Sequence, residues 1–141
     1  MITIYTDGSC RQNGKVGGFG VVVTEDNKIL QVFSAQCKDT TNNREELKAI
    51  LWAMKNYNNA KIVSDSAYCV NLITDWMHRW KQDGWKRNGK YEVKNLDLIR
   101  HIYDLYNIGH YEVEHVLGHN GNYFNELADA LATGRKTIKD D

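Results

Sequence analysis

The sequence contains no proline. Its turns must therefore rest on glycine, asparagine and aspartate, the residues that accept tight or left-handed backbone. Net charge is also missing, because 18 Lys and Arg balance 18 Asp and Glu. Global electrostatics names no partner, and a nucleic-acid surface would have to gather its positive charge locally. Cysteine is scarce: Cys10, Cys37 and Cys69 are odd in number and far apart. That spacing excludes a disulfide framework and a zinc site and reads as three reduced thiols. No apolar run is long enough to cross a bilayer. No basic-then-apolar leader precedes the first strand pattern, so a cytoplasmic protein with no membrane partner is expected.

What is present is ordinary for a globular chain, with 42% hydrophobic and 26% charged residues. A single domain over residues 1–141 is expected, burying about 68–70% of its unfolded surface. Ile2, Ile4 and Thr6 alternate with Thr3 and Tyr5, which predicts a first strand stopping at Asp7-Gly8. Gly17-Gly18 opens a second strand to Thr24, Asp26-Asn27 signals a hairpin, and Lys28 to Gln36 forms a third strand. Thr41-Asn42-Asn43 offers helix-capping chemistry before Leu47, Ile50, Leu51 and Met54, which recur at helical spacing. Ala60 to Ser64 is a short apolar strand ending at Asp65. The strand–helix–strand order implies a right-handed crossover, setting the fourth strand parallel to the first. A helical region from Ala67 to about Gln82 follows, then a basic segment over residues 83–95, then a helix marked by Leu96, Ile99, Tyr103 and Tyr106. A fifth strand spans Tyr111 to Val116, and Phe124, Leu127, Ala128 and Leu131 mark a last helix. The polar tail from Arg135 is expected to fray. The expected fold is α/β, a five-stranded mixed sheet of three antiparallel and then parallel strands, flanked by helices.

Functional groups in open α/β sheets gather beyond the carboxyl ends of parallel strands. Asp7 and Asp65 both close such strands. On neighbouring strands about 4.8 Å apart, their carboxylates would share one small volume and either raise a pKa or recruit a cation. Oxygen ligands favour Mg²⁺ over zinc. Each residue alone has a plainer reading, Asp7 as a turn residue before Gly8 and Asp65 as a helix cap. The first helix offers a third acid. At roughly 100° per residue, Glu45 points away from the Leu47/Ile50/Leu51/Met54 stripe and is expected in solvent, whereas Glu46 lies at its border and can reach the site.

Thr6-Asp7-Gly8-Ser9, Thr41 to Leu47, Ser64-Asp65-Ser66, and Gly118-His119-Asn120-Gly121 followed by Asn125-Glu126 and Asp129 occur in order. Together they resemble the type 1 ribonuclease H family along nearly the whole chain. The resemblance implies a ribonuclease H-like fold and an endonuclease hydrolysing the RNA strand of an RNA–DNA hybrid, leaving 5′-phosphate and 3′-hydroxyl ends. It implies that Asp7, Glu46, Asp65 and Asp129 hold two Mg²⁺ ions, with Mn²⁺ as an alternative. Periodicity alone puts Asp129 with Glu126 and Thr133 on a solvated face, so its role rests on the resemblance. By the same resemblance His119 moves protons or helps release product, a task suited to an unperturbed pKa near 6.5.

Positive charge is concentrated between Trp76 and Lys94, where Arg79, Lys81, Lys86, Arg87, Lys90 and Lys94 outnumber Asp83 and Glu92. Trp76, Trp80 and Trp85 are interleaved with it. The segment resembles the basic protrusion with which some family members grip the DNA strand. Its plainer reading is a solvated loop whose tryptophans fill the core, and at least one of Trp76 and Trp80 is expected to pack inward. Thr41 and Arg44 match the family's pocket for a DNA phosphate. Asn13, Asn42 and Asn43 match amides reaching the minor groove, where 2′-hydroxyls mark RNA. Capping and turn formation account for the same asparagines. Ala67 stands where many relatives carry a glutamine, and Glu45 where an apolar residue is usual. A monomer with no obligate protein partner is expected. Two other readings are a DNA-directed nuclease of the same fold, resolvase- or transposase-like, and a hybrid-binding module without catalysis. The Asn13/Asn42/Asn43 set and the His119 loop weigh against the first, the intact acid quartet against the second.

Overall fold

The computed structural model describes residues 1–88, 90–118 and 121–135. Its strands and helices run β1 (Ile2–Arg11), β2 (Val16–Glu25), β3 (Lys28–Cys37), α1 (Asn42–Asn56), β4 (Asn59–Ser64), α2 (Ala67–Asn71), α3 (Met77–Gln82), β5 (Lys86–Arg87), β6 (Tyr91–Glu92), α4 (Leu96–Ile108), β7 (His110–His115) and α5 (Tyr123–Thr133). Five strands form one sheet in the order β3-β2-β1-β4-β7, and β5-β6 is a separate hairpin. β1, β2 and β3 pair antiparallel, while β1, β4 and β7 pair parallel. This is the predicted topology. Asp26 and Asn27 both take positive φ, the geometry that closes a two-residue hairpin with the right twist.

One expected boundary is wrong in an informative way. β1 does not stop at Asp7-Gly8 but continues to Arg11, its ladder with β2 carried on by Gly8↔Phe19, Ser9↔Gly18 and Cys10↔Gly17. Gly8 is there for close approach and not for a turn: a Cβ on it would meet the Glu46 backbone nitrogen and the Glu45 carbonyl carbon. Only the parallel ladder with β4 stops near the expected place, at Thr6↔Ser64.

The helices cover both faces of the sheet. On one face Ile4, Val21 and Val23 meet Leu47, Ile50 and Met54 of α1, with Ile99 and Ile102 of α4 behind them. On the other, Val22 with Tyr5 and Val32 meets Leu127, Ala128 and Leu131 of α5. α5 lies unusually close because β2 presents glycine to it: a Cβ on Gly20 would meet the Ala128 carbonyl and the Leu131 side chain. The terminal carbonyls of α5 find donors on the sheet, Ser34 Oγ at 3.0 Å and Gln36 Nε2 at 3.3 Å to Leu131, and Arg11 at 2.8 Å to Thr133. Residues 67–82 form one helical run, as expected, with a π-helical stretch at Leu72–Trp76 between α2 and α3. No helix among the described residues is long and apolar enough to cross a membrane.

Candidate active site

Asp7 lies on β1 just past the last parallel pair, Asp65 follows the end of β4, and Glu46 reaches in from the first turn of α1. One carboxylate oxygen from each lies within 4.8 Å of the others. Thr41 fixes the start of α1, its hydroxyl accepting from the Arg44 amide at 3.1 Å. The Gly8 N–H donates to Glu46 Oε1, so the residue that admits the helix also orients its acid. Asp129 joins from α5. Gly20, the register partner of Asp7, lets that helix descend, and Asp129 stands beside the cluster, outside the group of Asp7, Glu46 and Asp65 whose oxygens lie within 4.8 Å of one another. The polar face of α5 is thus split: Glu126 is exposed, while Asn125 is buried and Asp129 turns inward.

Crowding of these acids shifts their titration. Burial, then the hydrogen bond and negative charge of Glu46, then Asp65 and Asp129, push the Asp7 carboxyl up to about 11. Burial also pushes Glu46 up to about 7, with Asp65 adding to the rise, against hydrogen bonds from Asp7, the Gly8 amide and Ser66. Without a cation, protons hold this cluster together. The donor set is oxygen only, with no His or Cys ligand atom in the group found among the described residues. Hard divalent cations choose such donors, and their charge would take the place of the retained protons.

Gly8, Ser66 and Gly118, named in the sequence only as parts of motifs, shape the site directly. A Cβ on Gly118 would stand 2.8 Å from Asp65 Oδ2, so the segment leading to His119 passes directly over that acid. His119 itself lies outside the described residues, as do Lys136 to Asp141 of the tail expected to fray. The glycine signal was legible only as "turn", the commoner use of the residue.

Glu45 corrects an expectation. It is not in solvent but 0% exposed, accepting from the Thr40 hydroxyl at 2.6 Å and pairing with Lys48 Nζ at 2.9 Å. Gly17 opens β2 above this side of the helix and Thr40 closes over it, neither of which the apolar stripe of α1 records. Lys48 keeps 29% of its side chain exposed, so it can return to water if its partner is lost. Glu45→Met is therefore expected to leave the melting temperature unchanged or raised. A loss above about 2 kcal/mol in denaturant unfolding would show that the pair is an essential strut.

The Arg44 fork grips Asp97 at 3.1 and 2.7 Å, because α4 sets an acid in its first turn opposite α1. The guanidinium holds the Asp97 carboxyl below the usual carboxylate range. Thr41 spends its hydroxyl as the cap of α1, and Asn42 and Asn43 lie exposed on the first turn without capping it. Asn13 sits exposed at positive φ in the β1–β2 turn, and Ala67 is exposed at the start of α2.

Trp76 and Trp80 pack against the core with their inner edges and line two adjoining clefts with the other. One, 310 Å³, adds Asn43, Tyr68, Lys94 and Asn95; the other, 330 Å³, adds Arg79, Asp83 and Asn88; Arg87 borders both. Trp85 turns elsewhere, edge-on to Tyr103 at 5.4 Å with Arg100 over its ring. Lys81 and Lys86 are exposed.

Acids gathered at the carboxyl edge of a mixed sheet, with a basic cleft alongside, define a cation-dependent hydrolase that acts on a charged polymer. The comparisons specify which. The sequence matches the RNase H family over residues 1–136. It is 40% identical over 134 residues to the Ribonuclease H of Francisella tularensis subsp. novicida, covering 93% of this chain and 88% of that one. The Ribonuclease H of Acetivibrio thermocellus is also 40% identical, over 136 residues, covering 94% and 92%. Among solved structures, LC9-RNase H1, a type 1 RNase H with the type 2 active-site motif, superposes with TM-score 0.81 at 30% identity, covering 96% of this chain and 73% of that one. A foamy viral protease-reverse transcriptase in complex with RNA/DNA hybrid superposes with TM-score 0.83 at 26% identity, covering 94% of this chain and 19% of that longer one. The chain belongs to the RNase H family.

Proposed function

We propose that this protein is an endonuclease that hydrolyses the RNA strand of RNA–DNA hybrids, leaving 5′-phosphate and 3′-hydroxyl ends. The observation that carries the reading is the convergence of Asp7, Glu46 and Asp65 within 4.8 Å in a member of this family. Asp7, Glu46, Asp65 and Asp129 are the residues that would hold divalent cations, two of them with Mg²⁺ preferred and Mn²⁺ as an alternative. Bound there, the cations supply water activation and charge neutralisation at the scissile phosphate. Asp7, between the other acids, sets the spacing of the site. By the family resemblance Glu46, steered by the Gly8 amide, is also assigned the 2′-hydroxyl of the nucleotide beside the cut. His119 is assigned proton transfer or product release.

Asn13, Asn42 and Asn43 are exposed and are assigned the minor groove, with Thr41 and Arg44 at a DNA phosphate. For Arg44 this requires the guanidinium to share or leave Asp97. Residues 83–95 act as the arm for the DNA strand, with Trp76 and Trp80 as stacking surfaces and Lys81, Lys86 and Arg87 at phosphates. Trp85, whose ring meets Tyr103 and Arg100, is assigned to substrate binding on the same arm. Three free cysteines among the described residues suit a reducing cytoplasm, and we place the protein there as a monomer.

The test presents labelled RNA–DNA hybrid, duplex RNA and duplex DNA with Mg²⁺ or EDTA. Mg²⁺-dependent cutting of the hybrid alone is expected. Charge reversal at Lys86 and Arg87 should raise KM, leave kcat nearly unchanged, and weaken the salt dependence of KM. Cutting of duplex DNA in preference to hybrid would overturn the substrate assignment, and an unchanged KM would return the arm to scaffold.

A further inference from the structure

The four acids carry one fixed positive charge among the described residues. Arg135 pairs through a terminal guanidinium nitrogen with Asp129 Oδ2, while no other basic side chain there forms an ion pair with Asp7, Glu46, Asp65 or Asp129. The local chain is built to bring it there. Gly134 ends α5 in the left-handed region at φ 78°, which a residue with a Cβ enters only under strain. That turn folds Arg135 back along the helix, where its Nε donates to Thr133 Oγ1 at 3.0 Å. The guanidinium is therefore held from two sides. Arg11, at the end of β1, is engaged instead with the Thr133 carbonyl at 2.8 Å. Exposure is graded across the pair: the Arg135 side chain is 62% exposed and Asp129 19%, with Asp7 buried behind.

We propose that Arg135 is a resident counter-cation of the acidic site that competes with a metal ion for Asp129. The inference rests on reading the site as a divalent-cation site. A guanidinium against one carboxylate oxygen stabilises the cation-free cluster, and the same contact must be given up when Asp129 turns its oxygens to a metal. The exposed side of Arg135 gives it a route out into water. The pair thereby lowers apparent affinity for the cation that Asp129 would hold, without touching the other three acids. Arg135 is a positioning residue: it acts through Asp129.

The test is Mn²⁺ titration of the whole chain without nucleic acid, followed by calorimetry and by the loss of free-ion paramagnetic signal. Thermal melts in EDTA and in Mn²⁺ accompany it. Arg135→Gln should bind Mn²⁺ about 5-fold more tightly, the size of one near-surface charge contact. It should melt lower than wild type in EDTA and gain more from added Mn²⁺. In an Asp129→Asn background the same substitution should change neither affinity nor the Mn²⁺ gain. Equal affinity of wild type and Arg135→Gln overturns the proposal, and so does a gain that survives in the Asp129→Asn background, which would be general charge loss. No Mn²⁺ uptake by wild type or by Arg135→Gln would overturn the metal reading of the site, and this inference with it.

Discussion

Asp7→Asn is expected to abolish hybrid cleavage while making the cation-free protein more stable. Asparagine keeps the shape and can still accept one hydrogen bond, but it cannot supply the charge that draws a cation between the strands. Substitutions one layer outside a metal's ligands already cost about 10- to 100-fold, so loss of a central ligand should exceed about 100-fold. Stability moves the opposite way because wild type gathers four acids in a partly buried space. The folded values of Asp7 and Glu46 lie above those of the unfolded chain. Their contribution is complete below the unfolded carboxylate range of about 4 and is lost as pH rises through the folded values, which for Glu46 is about 7. In EDTA, wild type should therefore melt at progressively lower temperature from pH 5 to pH 8, as about that range spans the window. Asp7→Asn should flatten the slope and gain about 1–4 kcal/mol at the upper end, the scale seen when buried charge is replaced by neutral groups. Saturating Mg²⁺ should flatten the wild-type slope too, since the cation takes the place of protons. A wild-type melting temperature in EDTA that climbs with pH would contradict the whole electrostatic account.

The second large effect comes from a single methyl group. In Gly8→Ala the added carbon lands among the Glu46 and Glu45 backbone atoms. No flexible side-chain tip is there to yield, so α1 must move or β1 must bend. Overpacking of this kind costs about 1–3 kcal/mol and occasionally more, and the upper end is expected, a fall of roughly 10 °C in melting temperature for a chain of this size. The displaced helix carries Glu46 with it, so Mn²⁺ affinity should fall alongside stability. Gly84 supplies the comparison, since it has nothing within 4 Å of its built Cβ and its substitution meets only the strain of φ 72°. Equal melting temperatures for Gly8→Ala and wild type would mean that the helix is not seated against β1 as described.

Topology was legible because it is written in periodicity. Alternation in Ile2 to Thr6 and Tyr111 to Val116, the Asp26-Asn27 turn and the helical spacing of Leu47 to Met54 each name an element, and chain order with crossover handedness does the rest. Residue pairs that depend on what faces them were not legible. The burial of Glu45 is set by Gly17 on β2 and by Thr40, neither of which leaves a trace in the apolar stripe of α1. Gly8 looked like a stop because glycine ends strands more often than it admits helices. The grip of Arg44 on Asp97 was not legible because Asp97 lies 53 positions away on a helix whose docking angle no local pattern gives. Asp129 lay beyond periodicity altogether: its inward turn depends on α5 settling against Gly20, a contact between helix backbone and sheet that leaves no mark on hydropathy.

Both helices that carry acids to β1 are seated on bare backbone, α1 at Gly8 and α5 at Gly20. Side-chain packing is compliant, since a rotamer change can absorb a few tenths of an ångström, but main chain resting on main chain has little give. The gauge of the cleft is thus set by peptide thickness, which is the same for any sequence. The Gln12–Lys15 turn and the 83–95 arm touch the start of α1 through Thr40 and Arg44, so changes at their exposed positions, away from Gly14 and Asn95, leave the two glycine seats intact. Those two segments are the natural places to graft new substrate preferences onto this scaffold.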